Sequence, residues 1–261
     1  MKTFLKVVWI SLLSTVVKLL TQVLVDDNFL AFLKLDNPRL EVFHYNYLFI
    51  NIVVFVVLTI VFIYVKKYIP AHKLFKGVIY SMSITLVWFA LKFEPTIDVD
   101  FIGYFRKILI FFIPMLIYGI FLGYLSSERS YRYQPTDAFL SAFIYFFAWV
   151  ILRIIYLLID VNKADLFVFS GAVWLIMSGA AIGVVFGLLF DMSKLSFKKT
   201  VFWIFLMAVI IFFGYYLSEY TIDKILNPYR FLAAFLDIAA IMLATLINFI
   251  VFKDSKKLTT V

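Results

Sequence analysis

The stretch AFLSAFIYFFAWVILRIIYLLI, residues 138–159, decides the fold. It carries a single charge, Arg153, and neither Pro nor Gly interrupts it. A hydrocarbon core of ~30 Å requires about 20 apolar residues in helical form. A strand would alternate apolar and polar side chains, as in an outer-membrane barrel. This run does not alternate, so a helix that satisfies its own backbone is expected.

Seven further runs of the same kind lie on either side, at about 4–25, 45–65, 77–93, 102–125, 166–190, 201–217 and 231–252. The runs 77–93 and 201–217 are short, so they are expected to stand upright or to extend past their edges. The composition agrees, with 65% hydrophobic and only 15% charged residues and a mean hydropathy of +1.03 over 261 residues. A soluble domain is nearer a quarter charged, and a disordered chain is far less apolar. The first run is too long for the apolar part of a signal peptide and lacks an A-x-A cleavage site, so it is expected to remain as a span. The fold class expected is all-α, a polytopic bundle of eight transmembrane helices forming a single domain over residues 1–261.

Charge gives the orientation. With the amino terminus in the cytoplasm, the inside segments carry 13 Lys or Arg against four acids, and the outside segments carry 11 acids against five cations. The positive-inside rule therefore places both termini inside. The net charge of +8 is mostly topology and lipid contact. It gives no reason to expect nucleic acid, because no soluble basic domain is present to bind it. No N-x-S/T sequon occurs, and with the Lys- and Phe-rich bias this points to the plasma membrane of a bacterium. The outside segment 26–44 contains an apolar stretch, Phe29 to Leu35, and reads equally as a short interfacial helix or re-entrant piece or as a plain loop.

A faint internal repeat divides the chain into halves 1–127 and 136–252. At an offset of 135, Phe4-Leu5 meets Phe139-Leu140 and Lys18 meets Arg153. At an offset of 125, Glu94, Thr96, Ile97, Asp98 and Tyr104 meet Glu219, Thr221, Ile222, Asp223 and Tyr229. Four helices per half is an even number, so the halves would run parallel, related by an axis along the membrane normal.

Cations inside the spans are few. Lys18 and Arg153 lie about 12 Å below the outer edge at 1.5 Å per residue, and Lys92, Arg106 and Lys107 lie closer to it. A cation at the centre of a span costs ~2.5–3.5 kcal/mol on insertion scales. Near an edge, however, it is commonly a snorkelling anchor. Helical spacing gathers the polar residues into stripes: Ser11, Thr15, Lys18 and Gln22; Ser81, Thr85, Trp88 and Lys92; Tyr145, Trp149, Arg153 and Tyr156; and Arg230, Asp237, Thr245 and Asn248. Such stripes turn toward the bundle or a wet cavity, because lipid offers them no partner. Asp237 is the one acid well inside a span, and its candidate partners are Lys18, Arg153 and Arg230.

Small residues recur at Gly119 and Gly123 and at Gly179, Gly183 and Gly187, a spacing that lets helices approach closely within the chain or across an interface. Pro114 interrupts the fourth span as a static kink or a hinge. There is no cysteine, and His44 and His72 fall on opposite sides of the membrane, so no metal and no cofactor is expected. No P-loop or H-E-x-x-H occurs. Ser14 and Lys18 could touch, but a serine on a helix usually bonds its own backbone, so the reading leans against an enzyme. Two functions remain. The first is a transporter or lipid flippase in which Lys18, Arg153, Asp237, Arg230, Lys92, Arg106 and Gln22 form a cationic, outward-facing chamber for an anionic, phosphate-bearing amphiphile. The second is a non-catalytic subunit that assembles with another membrane protein, or with itself, through the glycine faces. Membrane lipids are partners in both.

Overall fold

The computed structural model describes residues 2–25, 38–66, 69, 71–92, 101–126, 137–159, 169–193, 197–223 and 228–252. Eight helices fill them: α1 (Lys2–Val25), α2 (Pro38–Val65), α3 (Lys73–Lys92), α4 (Phe101–Gly123), α5 (Ala138–Ile159), α6 (Phe169–Ser193), α7 (Phe197–Asp223) and α8 (Pro228–Val251). No strand occurs among the described residues. Seven of the helices hold a run long and apolar enough to cross a membrane, and α4 holds the shorter apolar run Ile108–Gly123. This is the make-up of a multi-pass helical membrane bundle.

Three helices outrun their hydropathy. α2 begins at Pro38, inside the segment 26–44, because Pro has its fixed φ and missing N–H where a helix start tolerates both. Arg39, Glu41 and His44 lower the hydropathy of that first stretch without breaking the helix; residues 26–37 lie outside the described residues. α3 and α7 likewise extend past the short runs 77–93 and 201–217, to Lys73–Lys92 and Phe197–Asp223. The repeat window Glu94–Asp98 lies outside the described residues, whereas Glu219 to Asp223 close α7.

The helices fall into two compact units. The first comprises α1, α2, α3 through Phe89, α4, and α7 from Gly214. The second comprises the end of α3 from Ala90, α5, α6, α7 through Phe213, and α8. Within the first unit α1 packs on α2 and α4; within the second α5 packs on α6 and α8. Helix α5 shows how the faces divide. Ser141, Tyr145, Trp149, Arg153 and Tyr156 are buried, while Phe139, Phe143, Phe147, Ile151 and Ile155 are exposed. The two sets lie on opposite sides of a helix with 3.6 residues per turn, with the polar atoms inward and the apolar bulk outward. That is the arrangement a helix needs when its solvent is lipid.

Glycines set the closest approaches. A Cβ at Gly183 would lie 2.6 Å from the Ala142 carbonyl oxygen, and one at Gly187 would lie 2.6 Å from the Ala142 nitrogen. A Cβ at Gly179 would meet Val150 at 2.7 Å. The α6 glycine face is therefore filled by α5 of the same chain. In the first unit Gly119 and Gly123 press on α3, where a Cβ at Gly77 would lie 2.1 Å from the Gly119 carbonyl oxygen. Pro114 is buried within α4, and the helix runs through it without a break.

Just past the end of α2, the Lys66 ammonium donates to the Leu125 carbonyl beyond α4. Burial lowers the Lys66 pKa below its ordinary 10.5, and the positive charges of Lys76 and Lys6 lower it further. The folded protein thus binds this proton less tightly than the unfolded chain does. The group's contribution to stability should rise as pH climbs through the lowered value toward 10.5. Thermal midpoints in detergent, taken from neutral to about pH 11, should show wild type gaining on Lys66→Met over that window. Parallel curves would contradict the expectation.

Candidate functional site

Two clusters of buried charge involve the expected site residues, one in each unit; Lys76 on α3 and Asp191 on α6 are buried as well. In the first, the Lys18 ammonium on α1 donates to Oδ1 of Asn51 on α2. Asn51 is set in turn by its own amide, which donates to the Tyr47 carbonyl one turn back at 2.7 Å. That bond turns the amide oxygen toward the lysine. One turn along the same seam, the Tyr47 hydroxyl donates to Gln22 Oε1 at 2.5 Å. Lys18 also lies 5.5 Å from the Tyr47 ring centroid and 5.7 Å from that of Phe111 on α4. Aromatic faces attract a desolvated cation by ~2 kcal/mol, which offsets part of the cost of holding it at 7% exposure.

In the second, the Arg153 guanidinium on α5 pairs with Asp237 Oδ2 on α8 at 3.4 Å, with both side chains 2% exposed. Of the three partners the sequence allows Asp237, the structure brings it Arg153. The other carboxylate oxygen accepts a shorter bond, 2.8 Å, from the Trp149 indole N–H one turn along α5. Three rings surround the guanidinium, with centroids at 5.8 Å (Trp149), 5.2 Å (Tyr156) and 5.5 Å (Trp174). Trp174 is held by its own N–H on the Ala90 carbonyl, 2.9 Å away, and Ser178 donates to the same oxygen at 3.0 Å. These bonds satisfy a carbonyl in the last turn of α3, where the helix itself supplies no donor.

A second polar contact follows in each unit. Tyr145 and Thr245 hydroxyls meet at 2.8 Å, and Tyr118 and Thr59 meet at 3.0 Å. Each threonine gives its proton to the carbonyl four residues back, Thr245 to Ile241 and Thr59 to Phe55, both at 2.7 Å. The tyrosine is therefore the donor in both pairs.

The expected site residues thus divide. Lys18 and Gln22 share one seam, and Arg153 and Asp237 share the other. Lys92 is half-buried at the end of α3. Arg106 and Arg230 belong to α4 and α8, but their side chains lie outside the described residues. Asn51 and Tyr47, which hold Lys18 and Gln22, carried no motif. Their one signal is the Asn51 amide well inside a long apolar run, a residue type that bonds across membrane helices. Among the described residues, no three His, Cys, Asp or Glu side chains come close enough to hold a metal ion. Comparisons with protein-family models, curated proteins and solved structures gave no match.

Proposed function

We infer that the chain is a multi-pass transporter of the plasma membrane that binds an anionic, phosphate-bearing amphiphile, with Lys18 and Arg153 supplying the positive charge. One observation carries this reading. Asp237 accepts from both Arg153 and Trp149, and the shorter of these contacts is not the ion pair but the Trp149 N–H. If Arg153 turns to a substrate phosphate, the carboxylate keeps a donor, so the exchange does not strand a bare anion in low dielectric. Arg153 is held in reserve, and its planar fork matches phosphate geometry. Lys18 is held similarly by a neutral amide oxygen and two rings, which a phosphate can displace at little electrostatic cost. The offset of 135 residues that aligns Lys18 with Arg153 supports a repeated frame for this reading. α1 packs on α2 and α4 as α5 packs on α6 and α8, and Lys18 and Arg153 occupy matching places in the two halves.

The test is lipid binding by purified protein in vesicles of phosphatidylglycerol or phosphatidylcholine. Lys18→Gln and Arg153→Gln should each weaken phosphatidylglycerol binding by about ten- to a hundredfold, the worth of one charged hydrogen bond, and leave phosphatidylcholine unchanged. Binding indifferent to both substitutions would remove the reading.

The other reading, a non-catalytic assembly subunit, is favoured by the full burial of the Arg153–Asp237 pair, which would then serve only as glue between α5 and α8. It loses its most direct docking surface, because Gly179, Gly183 and Gly187 are already in use against α5. It predicts a fixed membrane-protein partner on purification and no selectivity for anionic lipid.

A further inference from the structure

The seam between α5 and α8 has more polar atoms than the ion pair requires. Asp237, Thr245 and Asn248 line it from α8, and Arg153, Trp149, Tyr145 and Ser141 line it from α5; all are buried. The helices run antiparallel here, since the contact Trp149–Asp237 is followed by the contact Tyr145–Thr245. One step further in the same direction stand Ser141, one turn below Tyr145, and Asn248, three residues beyond Thr245.

These two residues carry an anomaly. Ser141 Oγ and Asn248 Oδ1 are both fully buried, and neither has a hydrogen-bond partner in the protein. A buried serine on a helix ordinarily bonds back to the carbonyl four residues earlier, yet the Asp137 carbonyl accepts from the Ser141 N–H, at 2.9 Å, and not from its hydroxyl. The Asn248 amide nitrogen is used, on the Ala244 carbonyl at 2.9 Å, and this fixes the direction of the amide group. An acceptor and a hydroxyl on facing helices, each without a partner, are the arrangement that an ordered water bridges.

We propose that the α5–α8 seam is a proton path to Asp237, entering at the α5 N-terminal end through a water held by Ser141 and Asn248 and passing Tyr145 and Thr245. The proposal rests on the transporter reading and names its coupling ion. Thr245 turns its O–H away from the Ile241 carbonyl to pass the proton on, and each hydroxyl along the path accepts one proton and gives one up, so none is changed by the transfer. At the end an O–H bond forms on an Asp237 carboxylate oxygen, and one O–H bond of a hydrated proton breaks at the entrance. Asp237 becomes neutral, and Arg153 keeps its charge. The Arg153 site then gains one positive charge, the state in which it takes an anion. The gap between Trp149 and Tyr145 is one helical turn, about 6 Å, a span for one or two waters. Trp149 cannot relay, because an indole N–H only donates. Its part is to hold the carboxylate.

Few other titratable groups bear on Asp237. From α5 they are Arg153, Tyr156 and Tyr145, with Asp137 just before its first turn, and from the end of α3 in this unit Lys92. From α6 there is only Asp191, and from α7 within this unit only Lys198 and Lys199, all at the entrance end. On α8 itself Tyr229 and Arg230 precede it by two turns.

The experiment follows the carboxylic C=O stretch of Asp237 by infrared difference spectroscopy on the full chain in lipid nanodiscs, after a light-triggered proton jump. The band is assigned by its loss in Asp237→Asn. Wild type should show the band, and Ser141→Ala and Asn248→Leu should each slow its appearance by about tenfold or more, as removal of a positioned proton-transfer group does. Its final amplitude should not change. Ser141→Ala removes a single oxygen, so the test does not depend on whether the larger substitution folds. Equal rates in both variants overturn the path. So does the absence of any Asp237 band, or a rate set by sodium concentration, which would mean that the seam holds a cation. Slowed protonation together with unaltered phosphatidylglycerol binding by Arg153→Gln would uphold the path and sink the transporter reading. Unaltered rates with lost lipid binding would do the reverse.

Discussion

Asp237→Leu should lower unfolding stability by about 3–5 kcal/mol, the usual cost of leaving a buried charge without its partner. The loss should come from Arg153 rather than from the missing carboxylate. Arg153 is 2% exposed and enclosed by Trp149, Tyr156 and Trp174, so it cannot reach water without disrupting the packing of α5. The double variant Arg153→Met/Asp237→Leu removes both charges and fills the space with apolar groups, and it should recover most of the loss, since buried pairs often exchange for apolar residues at little net cost. Asp237→Asn should fall between, because the amide oxygen can still accept from Trp149. Equilibrium unfolding in mixed micelles would rank the three. A double variant as unstable as Asp237→Leu would mean that the pair is not the source of the effect.

The second large effect belongs to the glycines of α6. Gly183→Leu should abolish the folded protein, and even Gly183→Ala should cost about 1–3 kcal/mol as an overpacked contact. A Cβ there meets the Ala142 carbonyl oxygen at 2.6 Å, which is backbone of α5 and cannot step aside without moving the helix. The displacement would also open the seam on which Ser141 and Tyr145 lie. Gly214 provides the opposite case. A Cβ there meets Trp88 and Val54 at 3.7 Å, ordinary contact, and a glycine inside a helix is about 0.5–1 kcal/mol less favourable than alanine. Gly214→Ala should therefore raise the thermal midpoint while Gly183→Ala lowers it. Equal shifts in both would contradict the close-packing account.

The polar stripes are the part of the site that sequence makes legible. Ser11, Thr15, Lys18 and Gln22 are spaced along one side of α1, and all four are buried. Lipid forces this, since a polar face has nowhere else to turn. The partners were harder to read. Asn51 has polar companions in α2 at Tyr47 and Thr59, but these amphipathic side chains are common in a span and do not single it out. Asp237 could be matched to a cation only by geometry, because its pairing with Arg153 spans 84 residues of chain. Gly77 was not legible either. It forms no motif within α3, and its role appears only when Gly119 and Gly123 are brought against it. Helix starts were obscured where charge and helix overlap, as at Pro38, because hydropathy measures solvent preference and not backbone geometry. The order of the chain at the repeat window turns on residues 93–100, which lie outside the described residues.

The separation of Arg153 from Asp237 has a consequence for how the chain is made. Synthesis proceeds from the amino terminus at about 5–20 residues per second, so 84 residues correspond to roughly 4–17 s. During that interval α5 has been made and the carboxylate that Arg153 pairs with in the fold has not; a cation at the centre of a span costs ~2.5–3.5 kcal/mol on insertion scales. Lys18 waits less, for Asn51 is only 33 residues behind it. The first half can therefore satisfy its buried cation as soon as its second helix arrives. The second half gains its Arg153–Asp237 pair only when its last helix is made, so formation of that pair marks the completion of α8.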